Sequence, residues 1–96
     1  MVTLHVEHRV RDYNTWKEQG FDRDPVGRAR GGVRRHRILR DADDPNYVVI
    51  QLDFDDVATA QAFRESLYDL WGRVGSGLGL DGPQARVLEP ADSGEY

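Results

Sequence analysis

Ninety-six residues are enough for one domain with a single hydrophobic core, and little more. A hydrophobic share of 39% with 31% charged residues marks a folded chain, not a disordered one, and no apolar run approaches the roughly 18 residues of a membrane helix. The formal charge of -4 speaks against bulk nucleic-acid binding, and zero cysteines exclude disulfides, thiolate metal sites and a cysteine nucleophile.

The segment Val2 to Val10 reads as a first strand, with Val2, Leu4, Val6 and Val10 on one face and Thr3, His5, Glu7 and Arg9 on the other. These opening residues lack the basic start and continuous apolar stretch of a secretory signal, so a cytoplasmic location is expected. Asp12 stands where a helix N-cap belongs, and Tyr13 to Gln19 reads as helix with Tyr13, Trp16 and Phe21 turned to the core. Gly20 and Asp24-Pro25 interrupt it, Pro25 opens a short turn through Arg30, and Gly31-Gly32 is a stop. A second strand then runs from about Val33 to Arg40.

Asp41 to Asn46 is dense in turn formers and predicts a hairpin into a third strand, Tyr47 to Phe54. That strand splits Val48, Ile50, Leu52 and Phe54 from Tyr47, Val49, Gln51 and Asp53. Asp55 or Asp56 caps a second helix of about 18 residues, whose apolar stripe is Ala60, Phe63, Leu67, Leu70, Trp71 and Val74. The glycines from Gly72 to Gly82 end it and predict a flexible link or lid. Because they follow a helix, their amides are not aimed as a phosphate loop's would be. A fourth strand, Gln84 to Glu89, closes the pattern, and Pro90 keeps residues 90–96 out of the sheet as a polar tail of the single domain 1–96.

The order β-α-β-β-α-β is the split, ferredoxin-like α+β plan: a four-stranded antiparallel sheet with two helices on one face. The face the helices leave bare must be tolerated, covered by a partner, or used. On it fall His5, Glu7, Arg9, Tyr47, Val49, Gln51 and Asp53, with Arg35, Arg37 and Leu39 or else His36 and Ile38 from the second strand. From the fourth strand come Gln84, Arg86 and Leu88, or else Ala85 and Val87.

Val10-Arg-Asp-Tyr-Asn-Thr-Trp16 after the first strand and Asp44-Pro-Asn-Tyr-Val48 before the third carry a family resemblance. Asp55-Asp56 opening a helix with Ala60, Ala62 and Phe63, and Gly82-Pro83 before the last strand, extend it over nearly the whole chain. The layout resembles the dimeric α/β-barrel superfamily, which includes antibiotic-biosynthesis monooxygenase-like proteins and some small polyketide cyclases. The resemblance implies a homodimer with two sheets packed face to face, and a ligand cavity per protomer between sheet and helices or inside the barrel. These motifs mark turns and packing aromatics. No catalytic motif of the superfamily matches residue by residue, so none is carried over.

His5, Glu7 and Arg9 succeed one another on one strand face, each about 6.5 to 7 Å from the next. Glu7 beside His5 can orient the imidazole and raise its pKa, as a general base requires, with Gln51 and Asp53 facing them from the third strand. The expected roles are His5 as acid or base, Glu7 as its orienting partner, and Arg86 or Arg9 as stabiliser of an anion or enolate. Arg9, Tyr47, Gln51, Asp53 and Trp71 are the expected ligand contacts. The competing reading is a network of ion pairs and hydrogen bonds lining a dimer interface.

His8 lies on the apolar face of the first strand and reads as a core-edge histidine with a backbone partner. Trp16, Phe63 and Trp71 are core aromatics that would wall the pocket of a protein binding a flat apolar ligand. The histidine spacing gives no metal site, and no cofactor is implied. Six arginines between Arg28 and Arg40 could grip phosphates, but the acids that follow from Asp41 are their natural partners, and RNA stacking would need more exposed aromatics than Tyr47. The expected function is binding of a small aromatic or polyketide-like molecule, with cofactor-independent oxidation or cyclisation as the chemistry. The alternative is a non-catalytic dimerisation or ligand-sensing module.

Overall fold

The computed structural model describes residues 1–74 and 80–96. Residues 75–79, with Ser76 and much of the expected glycine-rich link or lid, lie outside the described residues. The elements are β1 (Val2–Arg9), α1 (Tyr13–Trp16) continued by a π-helical turn (Lys17–Phe21), β2 (Arg35–Arg40), β3 (Tyr47–Phe54), α2 (Val57–Val74) and β4 (Asp81–Leu88). The sheet order is β2-β3-β1-β4 with antiparallel pairing throughout, the ferredoxin-like plan that the sequence predicts.

The register decides what faces what. His5 pairs with Gln51 on one side and Arg86 on the other, and Arg37 pairs with Gln51 across β3. Opposed residues of antiparallel strands share a face. The bare face therefore carries Arg35, Arg37 and Leu39 from β2, and Gln84, Arg86 and Leu88 from β4. His36, Ile38, Ala85 and Val87 turn towards the helices. The core under α2 is built on Leu4, Val48, Leu52 and Phe54, with Phe54 and Phe63 rings 5.5 Å apart. Full burial of such side chains stabilises by about 1.5–3 kcal/mol each.

The caps form as expected. Asp12 accepts from the Thr15 amide at 2.9 Å, and Asp56, not Asp55, accepts from the Thr59 amide at 2.8 Å at the start of α2. Asp55 instead pairs with Arg34 at 2.7 Å. In the hairpin, Asp41 takes the amides of Asp43 and Asp44, and Asn46 reaches across to accept from the Tyr13 amide at 2.9 Å.

Several details differ from expectation, among them β2, which begins at Arg35 rather than about Val33, and β4, which ends at Leu88 rather than Glu89. β1 ends at Arg9, because the buried Val10 donates its N–H to Asn46 in the hairpin at 2.7 Å. Gly20 does not end the first helix: the backbone widens, with Asp22 N–H reaching Lys17 O at 2.8 Å, and Gly20 is buried inside the turn. An α-helical path would swing Phe21 about 140° away from Trp16. The wider turn keeps both rings inward, 5.7 Å apart. β4 begins at Asp81 rather than Gln84, because a register shift opposite Glu7 and Arg9 accommodates Gly82, at φ +60°, and Pro83 within the strand. Val74 is 40% exposed, so the packed stripe of α2 stops at Trp71.

Gly32 sits at φ +97°, where a Cβ would lie 2.5 Å from Thr59 Cγ2, so both conformation and space demand glycine. Gly32→Ala is expected to cost about 2 kcal/mol or more in urea unfolding. Adding Thr59→Ser should recover only the steric part of that loss. Full recovery would show that the left-handed backbone carries no penalty.

Candidate functional site: a cavity under the helices

The even-numbered side chains of β1 point under the helices, and the last of them is not apolar. His8 is 3% exposed, beyond Val2, Leu4 and Val6 on the same face. It forms part of the floor of a cavity of about 90 Å³, partly open to solvent, with Val6, Ile50 and Leu52 of the central strands. Trp16, Gly20 and Phe21 wall one side from the first helix and its π turn. Phe63, Leu67, Leu70 and Trp71 wall the other from α2, and the loop residues Asp24, Pro25, Val26 and Arg28 form part of the lining.

His8 stands between two indoles. Its ring centre is 5.9 Å from Trp16 and 6.1 Å from Trp71, both edge-to-face, and the Tyr68 ring packs on Trp71 at 5.4 Å. The His8 Nδ1 is sealed from solvent and has no hydrogen-bond partner. Burial holds its pKa below the ordinary histidine value, and a polar approach of the Arg9 backbone opposes that shift only in part. The neutral imidazole is therefore the favoured form.

The charged lining residues, Asp24 and Arg28, hold each other. Arg28 donates its backbone N–H to Asp24 Oδ1 at 2.9 Å and its Nη1 to Phe21 O at 2.8 Å, with Nη1 3.4 Å from Asp24 Oδ1. Its guanidinium lies over the Phe21 ring, 3.7 Å from the centroid. Asp24 itself adopts φ +51°. The first helix, its π turn and the loop that follows are thus tied into one wall of the cavity.

The residues that the sequence singles out fall on both sides of the sheet. Trp71 lines the cavity. His5, Glu7, Arg9, Tyr47, Gln51, Asp53 and Arg86 share the bare face, separated from the cavity by the sheet itself. There Tyr47 Oη donates to Glu7 at 2.6 Å, which raises the Tyr47 pKa, and Glu7 lies 3.6 Å from His5 Nε2. Gln51 Nε2 is 3.4 Å from His5 Nδ1. Thr3 donates to Asp53 at 2.9 Å, Arg35 reaches Asp53 at 3.0 Å, and Arg9 pairs with Asp44. Arg86 is exposed, beside His5 in register.

His8 is the buried histidine expected at the end of the apolar row, with the Arg9 backbone as its polar neighbour, while Nδ1 lies outside good hydrogen-bond geometry. The roles of Asp24, Arg28 and Phe21 at the cavity are not readable from the sequence, where Arg28 is one of a run. A titratable residue at an apolar parity position was the available signal for His8. Among the described residues, no three His, Cys, Asp or Glu side chains lie together as a metal site, and no helix is long and apolar enough to cross a membrane.

No protein-family model and no curated protein sequence matches this chain. A solved structure does: a protein of Deinococcus radiodurans named "putative antibiotic biosynthesis monooxygenase" aligns with a TM-score of 0.64 over 100% of this chain and 98% of that one, at 12% identity. The two share the ferredoxin-like fold. At that identity the likeness is one of architecture, and the arrangement around His8 is described from this chain alone.

An unsatisfied buried nitrogen costs about 1–3 kcal/mol, so His8→Leu should stabilise the fold by roughly that range at neutral pH. Because the folded state disfavours the imidazolium, the unfolded chain binds more protons once pH falls through about 6.5, the unperturbed histidine value. Wild-type stability should therefore drop between pH 7 and 5, and His8→Leu should lose part of that slope, read by urea midpoints. Equal slopes would place the acid sensitivity elsewhere.

Proposed function

We propose that this protein binds a small aromatic molecule in the cavity beneath its helices, and that it works as a homodimer closed through the bare sheet face. The observation that carries the reading is the cavity itself: a mostly apolar chamber walled by Trp16, Phe21, Phe63 and Trp71, with His8 in its lining. Ligand sites are concave and mostly apolar with few polar groups, and here the polar lining residues are His8, Asp24 and Arg28. The Deinococcus radiodurans protein, with its monooxygenase name and shared fold, supports small-molecule chemistry as the class.

For the dimer, the support is a sheet face on which Leu39 and Leu88, 37% and 44% exposed, flank half-buried His5, Glu7, Tyr47, Gln51 and Asp53. A partner sheet laid on it would cover the exposed leucines and enclose the Tyr47–Glu7–His5–Gln51 chain. Two uses of that chain remain. It registers the protomers, or it performs cofactor-independent oxidation or cyclisation, with His5 as acid or base, Glu7 orienting it, and Arg86 beside it for a developing anion.

Two experiments test these readings. A thermal-shift series with small aromatic compounds should raise the wild-type midpoint by roughly 10 °C at a hundredfold excess over Kd. Leu67→Trp, which fills the cavity from a half-buried position, should abolish that shift while the protein stays folded. An unchanged shift would move the ligand out of the cavity. Separately, light scattering should give twice the chain mass. Glu7→Gln should raise the dimer dissociation constant about tenfold if the network registers protomers. A dimer undisturbed by Glu7→Gln, with turnover lost in His5→Ala, would instead favour catalysis on that face.

A further inference from the structure

The side chains of the bare face form rows across the sheet, and one row stands apart. Arg37, Gln51, His5 and Arg86 lie side by side in register from β2 to β4. Neighbouring strands are about 4.8 Å apart, so the outer two Cα atoms are roughly 14 Å from each other, with each arginine long enough to lean over its neighbour. The row offers donors. Arg37 and Arg86 carry no acceptor atom in their side chains, and neither forms an ion pair among the described residues. Gln51 Nε2 lies 3.4 Å from His5 Nδ1. An amide N–H facing Nδ1 leaves the imidazole hydrogen on Nε2 and a second Gln51 N–H unused.

Charge points the same way. In the row on one side, Arg35 reaches Asp53 at 3.0 Å. In the row on the other, Glu7 accepts from Tyr47 at 2.6 Å and lies 3.6 Å from His5 Nε2. Across these three rows, three arginines (Arg35, Arg37, Arg86) meet two carboxylates (Asp53, Glu7), although the whole chain has a formal charge of -4. One guanidinium per protomer is therefore left over. A second sheet laid on this face would take it out of water, and a buried charge without a partner is costly. Even a full exchange of ion pairs between the copies, within these rows, leaves two guanidiniums per dimer without a counter-charge.

We infer that the row Arg37–Gln51–His5–Arg86 binds an oxyanion, the carboxylate or phosphate group of a small ligand, enclosed between two copies of the chain. The assignment rests on the homodimer reading. Guanidinium forks match the paired oxygens of such a group and distinguish it from a spherical halide. The Gln51 amide and His5 Nε2 add donors between them, and the Glu7 carboxylate beside the row is outnumbered by the two guanidiniums. Because the anion supplies the charge that the closed dimer lacks, anion binding and dimer formation strengthen each other.

The test reads the dimer dissociation constant by sedimentation velocity in chloride, in acetate and in inorganic phosphate, at one ionic strength and neutral pH. At about ten times its own Kd, one bound acetate or phosphate is expected to tighten the dimer about tenfold relative to chloride, and the salt with the larger effect names the group. Arg37→Gln and Arg86→Gln should each lose that response. In chloride, where each removes an uncompensated charge, they should leave the dimer as tight as wild type or tighter. A dimer equally tight in all three salts overturns the oxyanion site and leaves the dimer standing. A dimer weakened in chloride by either variant overturns it too, because that arginine then pairs with a carboxylate of the partner copy. A chain that stays monomeric in every salt ends the homodimer reading, and the oxyanion site falls with it.

Discussion

The structure depends first on the register between β1 and β3. From Val2 opposite Phe54 to Arg9 opposite Tyr47, each pair sorts together, so Leu4 meets Leu52 and Val6 meets Ile50 while Glu7 meets Val49. Side chains alternate with period two, so a slip of one residue would carry His5 and Glu7 under the helices and put Leu4 and Val6 in their place. The penalty for that exchange comes from burying charges as well as exposing aliphatics, and it acts along eight consecutive pairs. The edge strands inherit their facing from this central pair. That is why Arg86 is beside His5 and why Ala85 is buried.

The same alternation places His8 at the end of the apolar row. A leucine there would have continued the pattern of Val2, Leu4 and Val6. Local consistency between sequence pattern and environment is what makes a sequence fold to one state, and breaks in it concentrate where function imposes its own demand. The first helix shows a second such break. Its widened turn at Lys17–Phe21 gives up regular α-helical hydrogen bonding, and the result is that Trp16 and Phe21 both line the cavity, with Arg28 stacked behind Phe21. Two departures from regular structure thus converge on one small volume.

The ferredoxin-like plan was legible in the sequence because it rests on strong local signals. The alternation of Tyr47 to Phe54, the Asp12 cap, a second cap at Asp55 or Asp56 and the turn residues from Asp41 to Asn46 each act over a few neighbours, and each appears in the structure, the second cap at Asp56. The facing of β2 was not legible, since Arg35 to Arg40 has no clean alternation and is fixed only by pairing with β3. The π turn was hidden for a similar reason: Gly20 normally ends a helix, and only the tertiary demand to keep Phe21 inward makes the chain carry on. The candidate site divides in the same way. The polar row of β1 shows in the sequence as a row, whereas the cavity is assembled from residues as far apart as Val6 and Leu80. No local pattern announces that Asp24 and Arg28 meet there.

The sheet therefore separates two polar systems of opposite character. On the bare face, Glu7 has Tyr47, Asp53 has Thr3 and Arg35, and His5 has Gln51 and Glu7 within reach; the groups largely satisfy one another inside one chain. A self-satisfied network loses little when a second sheet covers it, which is what an interface between copies needs. Under the helices, one imidazole sits in an apolar chamber without a partner for Nδ1. Leaving that nitrogen unpaired costs stability. The crowded polar face and the nearly apolar cavity thus differ in kind, and the first holds far more of the residue types usually associated with catalysis.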